Sequence, residues 1–217
     1  MDKRRKIRFG RWFRHFLGHL SGYIGDMLPA GIPAGSCTIL PNWMSPMPDT
    51  DLRAAFVEGM SRAATFVAVA TTDGEGGRAG VTVSSLTSVS ADGEHPSLLV
   101  CINRQSAAAT AILQNRAFCA NLLAENQEDI ANLFAGRSAT DRTERFDRAT
   151  WEPGALAQPL IAGATAAFEC RLATALLWET HHIIVGRVAS VRLSDNTSAL
   201  LYGQRAYRRA IHLSGDS

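Results

Sequence analysis

From Asp49 onward the apolar positions fall into two rhythms, one helical and one alternating, and they divide the chain into short elements. Leu52, Ala55, Phe56 and Met60 share one stripe at helical spacing, and Asp49, Thr50 or Asp51 can cap it, which predicts a helix to about Ala63. Residues 65–72 (TFVAVATT) then read as a strand, Asp73-Gly74-Glu75-Gly76-Gly77 as a hairpin turn, and residues 78–84 as the returning strand. After the turn Asp92-Gly93-Glu94-His95-Pro96, residues 97–103 (SLLVCIN) form a continuous apolar run, the pattern of a strand buried on both faces.

The second half continues in the same manner. Residues 105–114 are rich in alanine and helical in propensity, and residues 117–123 form a short strand. Asn126, with Asp129 three positions on, suggests a capped helix with Ile130, Leu133 and Phe134 as its stripe and Gly136 as its stop. Residues 137–160 are polar and read as irregular. Two long strands follow, over about 165–177 and 181–193, with Gly186 marking a bulge or a close approach. A short strand near 200–202 and a basic tail complete the pattern. Many strands, long hairpins and few helices predict a mainly β fold, an antiparallel barrel with attached helices. A doubly wound sheet would need more crossover helices and a G-x-G-x-x-G turn, whereas Gly74, Gly76 and Gly77 lie in a hairpin.

Charge changes the picture at one end only. The 217 residues carry a formal charge of +2, yet Lys3, Arg4, Arg5, Lys6, Arg8, Arg11 and Arg14 face Asp2 alone in the first fourteen. The other 15 basic and 19 acidic side chains leave the body at −4, which argues against a nucleic-acid-binding core. The basic start and the Gly/Pro-rich stretch to Pro48 fit a surface-binding amphipathic helix, a targeting segment, or a disordered extension with Met44 or Met47 as internal starts. The compositional break just before the first patterned helix favours the extension, giving a domain over 49–210 and a tail over 211–217. No run of eighteen apolar residues spans a membrane.

Candidate chemistry is sparse. Cys37, Cys101, Cys119 and Cys170 lie far apart, and the six histidines lack ligand spacing, so neither zinc nor a disulfide framework is indicated. Free thiols suit a cytoplasmic protein. Hydrolase, phosphate-loop and metalloprotease motifs are missing from the sequence. Two segments remain. The hydroxyl-rich run Ser84-Ser85-Leu86-Thr87-Ser88 follows an apolar strand and reads either as a self-bonded loop or as a rim for the polar edge of a flat ligand. Asn103-Arg104-Gln105-Ser106 joins a strand to a helix start, where free N–H groups suit either a plain cap or an anion.

These motifs have a familiar order. GVTVSSLTSVS at residues 80–90, PSLLVCIN at 96–103, Asn103-Arg104-Gln105-Ser106, FCANLLAENQEDIANLFAG at 118–136, Arg145-Phe146, Trp151, Pro159-Leu160, THHIIVGRV at 180–188, Leu201-Tyr202 and Tyr207 together resemble the short-chain flavin reductases. These are the reductase partners of two-component flavin-dependent monooxygenases, and the resemblance spans about residues 52–208. It implies an FMN-binding split β-barrel, a homodimer, and hydride transfer from NADH or NADPH to FMN or FAD, with reduced flavin diffusing to a partner monooxygenase. Carried over by position, Thr82, Val83, Ser84, Ser85, Thr87 and Ser88 would meet the flavin ring and ribityl chain. Cys101 and Asn103 would line the same pocket, Arg104 and Ser106 would hold the phosphate, and His181 would stand on the nicotinamide side. Glu179-Thr180 replaces the family's usual Gly-Asp before that histidine, and residues 92–95 lengthen the turn before Pro96. Hydride transfer between stacked rings asks the protein for orientation and proximity, so no catalytic acid or metal is required. A non-catalytic flavin- or haem-binding barrel and a pyridoxine-phosphate-oxidase-like FMN enzyme remain as other readings.

Overall fold

The computed structural model describes residues 49–136 and 142–211; the basic extension expected over 1–48, and the tail from 212, lie outside the described residues. Helix α1 (Asp49–Ser61) forms where its stripe places it, with Asp49, Thr50 and Asp51 inside its first turn, and it ends two residues before Ala63. Its stripe is not buried, however: Leu52, Phe56 and Met60 are all more than half exposed. The polar side instead holds the helix to the body, through Glu58 and Arg205 at 2.9 Å. That guanidinium keeps the exposed Glu58 carboxyl below its ordinary range.

The first expected strand is cut in two at Val67, into β1 (Thr65–Phe66) and β2 (Ala68–Thr72). The cut arises because the chain changes partners there. β1 pairs with β11 (Leu200–Gly203), whereas β2 pairs with β3 (Ala79–Val83) and β6 (Ala117–Leu122). At the junction the Val67 N–H donates to the Leu200 carbonyl at 2.9 Å, and the Val67 carbonyl accepts from Leu123 N–H at 3.0 Å. Every residue of β2 is buried, since Ala68 and Ala70 face one core and Val69 the other.

With β4 (Thr87–Ser90), β5 (Ser97–Asn103), β9 (Ala166–Trp178) and β10 (His181–Leu193), these strands make one antiparallel seven-stranded sheet in the order β3-β2-β6-β9-β10-β5-β4. β5 is covered on one face only: Leu98, Val100 and Ile102 are buried, whereas Ser97, Leu99 and Cys101 are half-exposed. The continuous apolar run had suggested burial on both sides, but an antiparallel sheet needs a single covered face and no helix of the described chain lies on the other. Inside the curl, Leu98, Val100, Ile102, Phe118, Leu172 and Ile184 pack with Ala109 and Ile112 of α2 (Ala107–Asn115), which plugs one end.

A second core lies outside the sheet. There α3 (Glu128–Phe134) brings Ala131, Leu133 and Phe134 against Val67, Val69 and Leu123. Asn126 does not cap this helix. The cap position is Gln127, whose amide turns back to accept from Ala124 N–H and donate to the Ala162 carbonyl, while Gly136 ends the helix at φ +71° as expected. The segment expected to be irregular contains α4 (Arg142–Asp147) and a small ladder of β7 (Trp151–Glu152) with β8 (Leu160–Ile161). Phe146 and Trp151 organise it, with ring centres 4.9 Å apart, beside Phe134. The basic tail likewise holds a strand, β12 (Ala206–Arg209), in which Tyr207 stands opposite Tyr202 of β11.

Gly186 is a point of close approach at a bulge. The β9–β10 register shifts between Val185 and Gly186, and a Cβ there would lie 2.7 Å from Phe118 and from Cys170. Gly186→Ala is therefore expected to lower stability by about 1–3 kcal/mol in urea unfolding, through overpacking of the inner core.

Candidate functional site

The sheet's two edge strands, β3 and β4, are separated in sequence only by Ser84-Ser85-Leu86. So short a link between opposite edges forces the sheet to curl until they approach, which is the split barrel. Ser85 secures the seam. Its hydroxyl donates to the Cys101 carbonyl at 2.9 Å and accepts from the Cys101 N–H at 3.1 Å, extending the pairing that begins at Thr87 and Leu99. Leu86 and Val83 turn into the core. Ser84, Thr87 and Ser88 stay exposed along the seam, and an apolar hollow of about 380 Å³ opens beside Thr87 and Ser88, walled by Phe66, Leu86, Phe168 and Val191. Thr82 is engaged elsewhere, its hydroxyl donating to the Ala131 carbonyl at 2.7 Å.

Cross-strand register places the remaining residues. Asn103 of β5 stands opposite His181 of β10, which stands opposite Trp178 of β9. One step along, Cys101 faces Ile183 and Ile183 faces Leu176. Directly paired residues share a face and alternate positions repeat it, so Cys101, Asn103 and His181 lie on the outer face, with Thr87 two rows away. His182 pairs with the buried Ile102 and belongs to the opposite face. The His181 ring is oriented locally, with Nδ1 2.9 Å from Thr180 Oγ1.

The end of β5 leads directly into the helix start. Asn103 Oδ1 accepts from Gln105 N–H at 2.9 Å, and Arg104 N–H donates to the Thr180 carbonyl, so strand end and hairpin tip are tied together. Ser106 caps α2 by accepting from the Ala108 N–H at 3.3 Å. On its far side Ser106 lines a cleft of about 330 Å³, with Gly80 and Val81 of β3 as one wall and Phe134 to Gly136 as another. Arg78 and Arg145 also line it, whereas Arg104 does not and is exposed on the turn. Gly80 is needed here, because a Cβ would lie 2.9 Å from the Phe134 ring that forms the wall. Arg78 had given no sequence signal beyond its element, Gln105 entered only within the Asn103–Ser106 segment, and Arg145 only as part of the Arg145-Phe146 pair.

The proposed site residues therefore form two groups on either side of the α2 start. Ser84, Ser85, Thr87, Ser88, Cys101, Asn103 and His181 belong to the seam and outer face, and Ser106 belongs to the cleft. The three described cysteines are free. Burial raises the Cys170 thiol to about 12, and burial with the nearby Glu169 carboxyl raises Cys119 further, so both stay protonated at neutral pH. Among the described residues no cluster could hold a metal ion, and no helix is long and apolar enough to cross a membrane.

This arrangement recurs in known proteins. A family model described as "Flavin reductase like domain" matches residues 60–210. A protein of Methylorubrum extorquens named "FMN reductase (NADH) RutF 1" is 44% identical over 155 residues, 71% of this chain and 75% of its own length. Among solved structures, the flavin reductase component BorF of a bacterial two-component tryptophan halogenase matches with a TM-score of 0.66 at 34% identity, covering 72% of this chain and 97% of its own. The NADH:FAD oxidoreductase SgcE6 of Streptomyces globisporus, in complex with NAD and FAD fragments, matches with a TM-score of 0.69 at 26% identity, covering 79% of this chain and all of its own. With the family model matched over residues 60–210, this chain belongs to the flavin reductase family and has its split-barrel fold.

Proposed function

We propose that this flavin reductase passes a hydride from NADH to FMN and releases reduced flavin to a partner monooxygenase. The carrying observation is the seam itself: exposed Ser84 and Thr87 border an outer-face row of Cys101, Asn103 and His181 where the barrel's edges meet. The donor set suits a flavin nucleotide. Ser84, Thr87 and Ser88, with Cys101 and Asn103, would border the ring and ribityl chain, and the helix start at Ser106, with Arg104 on its outer lip, would take the phosphate. When bound, FMN supplies the redox chemistry, and the chain's own residues orient the partners and keep the pocket open to exchange. FMN and NADH are favoured over FAD and NADPH by the names of the curated relatives, although SgcE6 carries FAD in its own name. Free Cys101, Cys119 and Cys170 support a cytoplasmic setting.

Purified protein is expected to consume NADH only when FMN, FAD or riboflavin is present. Folded protein that fails with all three flavins and both nicotinamides would remove the assignment.

His181 would steer the nicotinamide, with its ring set by Thr180. His181→Ala is expected to raise the apparent KM for NADH or slow flavin reduction in stopped flow, with FMN affinity near wild type. His182→Ala, on the opposite face, should change little; the reverse ranking would move the nicotinamide off the outer face.

A second copy of the chain would cover that face, and the body is proposed to be a homodimer. Leu176 and Trp178 of β9, in the same rows as Ile183 and His181, are both more than half exposed there, which favours a covering partner. Light scattering at assay concentration should give twice the chain mass, and a fully active monomer would contradict it.

A further inference from the structure

We propose that Arg171 and Arg187, opposed across β9 and β10, form an anion site for the phosphate groups on the adenosine half of the nicotinamide dinucleotide. The proposal rests on the reading above that nicotinamide lies beside His181, and it assigns the other end of the same ligand.

Register fixes both side chains on one face. Between β10 and β5, His181 stands opposite Asn103, Ile183 opposite Cys101, Val185 opposite Leu99 and Arg187 opposite Ser97. The intervening Ile102, Val100 and Leu98 are buried, so Arg187 belongs to the outer row that begins at His181. Arg171 stands directly opposite Arg187 on β9, between the buried Cys170 and Leu172, and both arginines are exposed. The pair lies between two register shifts, at Val185/Gly186 and Val188/Ser190, irregularities of the kind that re-aim side chains.

Two cations in that position strain the sheet. Directly opposed side chains start about 4.5–5.5 Å apart at Cβ, and like charges there are destabilising. Among the described residues neither arginine takes part in an ion pair. Glu169, two positions before Arg171, has its oxygens committed to the Ala155 and Leu156 N–H groups. Asp92 and Glu94, in the turn before Ser97, pair with neither. An anion bridging the two guanidinium groups would relieve the repulsion, and their planar forks suit phosphate oxygens.

The dinucleotide supplies that anion on the correct face. His181 and Arg187 lie on one strand, separated by about 20 Å at a rise of about 3.3 Å per residue. A dinucleotide laid along β10 with its ring at His181 carries its pyrophosphate and second ribose toward the two long side chains. Leu176 and Trp178 lie at the hairpin-tip end of the face, opposite Ile183 and His181, so covering them leaves the arginine end a separate surface.

Steady-state kinetics of Arg171→Gln, Arg187→Gln and Arg187→Lys test the proposal, with NADH, NADPH and reduced nicotinamide mononucleotide, which lacks the adenosine half. The quantity read is the ratio of kcat/KM for NADH to that for the mononucleotide. Each Gln variant is expected to lower this ratio by about three- to tenfold at low salt, and by less as salt is added. Arg187→Lys should lose less, because it keeps the charge without the fork. Thermal unfolding of the ligand-free Gln variants should give a Tm equal to or above that of the wild type, since a repulsion has been removed. Equal falls with NADH and NADPH assign the pair to the pyrophosphate, and a larger fall with NADPH assigns it to the 2′-phosphate. An unchanged ratio would overturn the site. A lowered Tm, or a changed subunit mass by light scattering, would overturn it too, because the arginines would then be structural. All three results leave the flavin reductase reading intact, whereas wild-type protein inactive with both nicotinamides would overturn that reading as well.

Discussion

The short crossing from β3 to β4 is the constraint from which the rest of the architecture follows. Two edge strands of a seven-stranded sheet cannot be joined by Ser84, Ser85 and Leu86 unless the sheet rolls up and brings its edges together. Once rolled, the edges cannot simply zip, because the link itself occupies the gap. Ser85 resolves this with its side chain, giving Cys101 both an acceptor and a donor. A buried strand would otherwise leave those main-chain groups to find other partners. Leu86 then fills the barrel from the same link, while Ser84 and Thr87 remain outside. Closure and an exposed polar rim are thus products of the same few residues.

The two cores share β2, and each side of that strand positions a different part of the site. The inner core holds α2 through Ala109 and Ile112, and so fixes the helix start that Ser106 caps. The outer core holds α3, and Phe134 at its end lies on Gly80 to make a wall of the cleft. A buried carboxylate contributes from further away. Glu169 of β9 accepts from the N–H groups of Ala155 and Leu156 at 2.6 and 2.8 Å, and Gly154 leaves room for its oxygens. That loop carries Gln158, whose amide grips Asp73, and Asp73 Oδ2 accepts from Arg78 Nε at 2.7 Å. The line from Glu169 to Arg78 therefore runs entirely through paired polar groups in a setting where unpaired ones are costly.

Much of this was legible because local signals and the final fold agree. The glycine-rich hairpin, the two long strands, the bulge at Gly186 and the Gly136 stop each follow from backbone chemistry that needs no tertiary knowledge. What was hidden depended on partners remote in sequence. No pattern in TFVAVATT marks Val67 as the place where a strand changes sheets; only the pairing with Leu200 and Leu123 does. β5 looked buried on both faces because composition cannot report whether a neighbour covers the second face. The α1 stripe was visible as a stripe, but the pairing of the helix with the body through Glu58 and Arg205, 147 residues apart, was not. For the site, the hydroxyl run and the helix start stood out, while Arg78 read as an ordinary strand flank. Its place in the cleft is set by a hairpin, a ring and a distant glutamine.

The two halves of the site suit the separate demands of a flavin that must be held and then let go. On the proposed reading, a ring on the outer face, beside Cys101, Asn103 and His181, would meet hydroxyls and half-exposed strand residues, contacts that are individually weak and open to solvent. A phosphate tail at the α2 start would meet main-chain N–H groups on a rigid scaffold, contacts whose strength falls as salt screens them. Such a division lets the protein hold the nucleotide largely by its tail while the reacting ring stays accessible to nicotinamide from outside. Because a bound flavin would bring the redox chemistry, the barrel would need only to fix where the ring lies. A tighter enclosure of the ring would improve orientation but slow its departure, and an open seam bordered by short hydroxyls favours exchange.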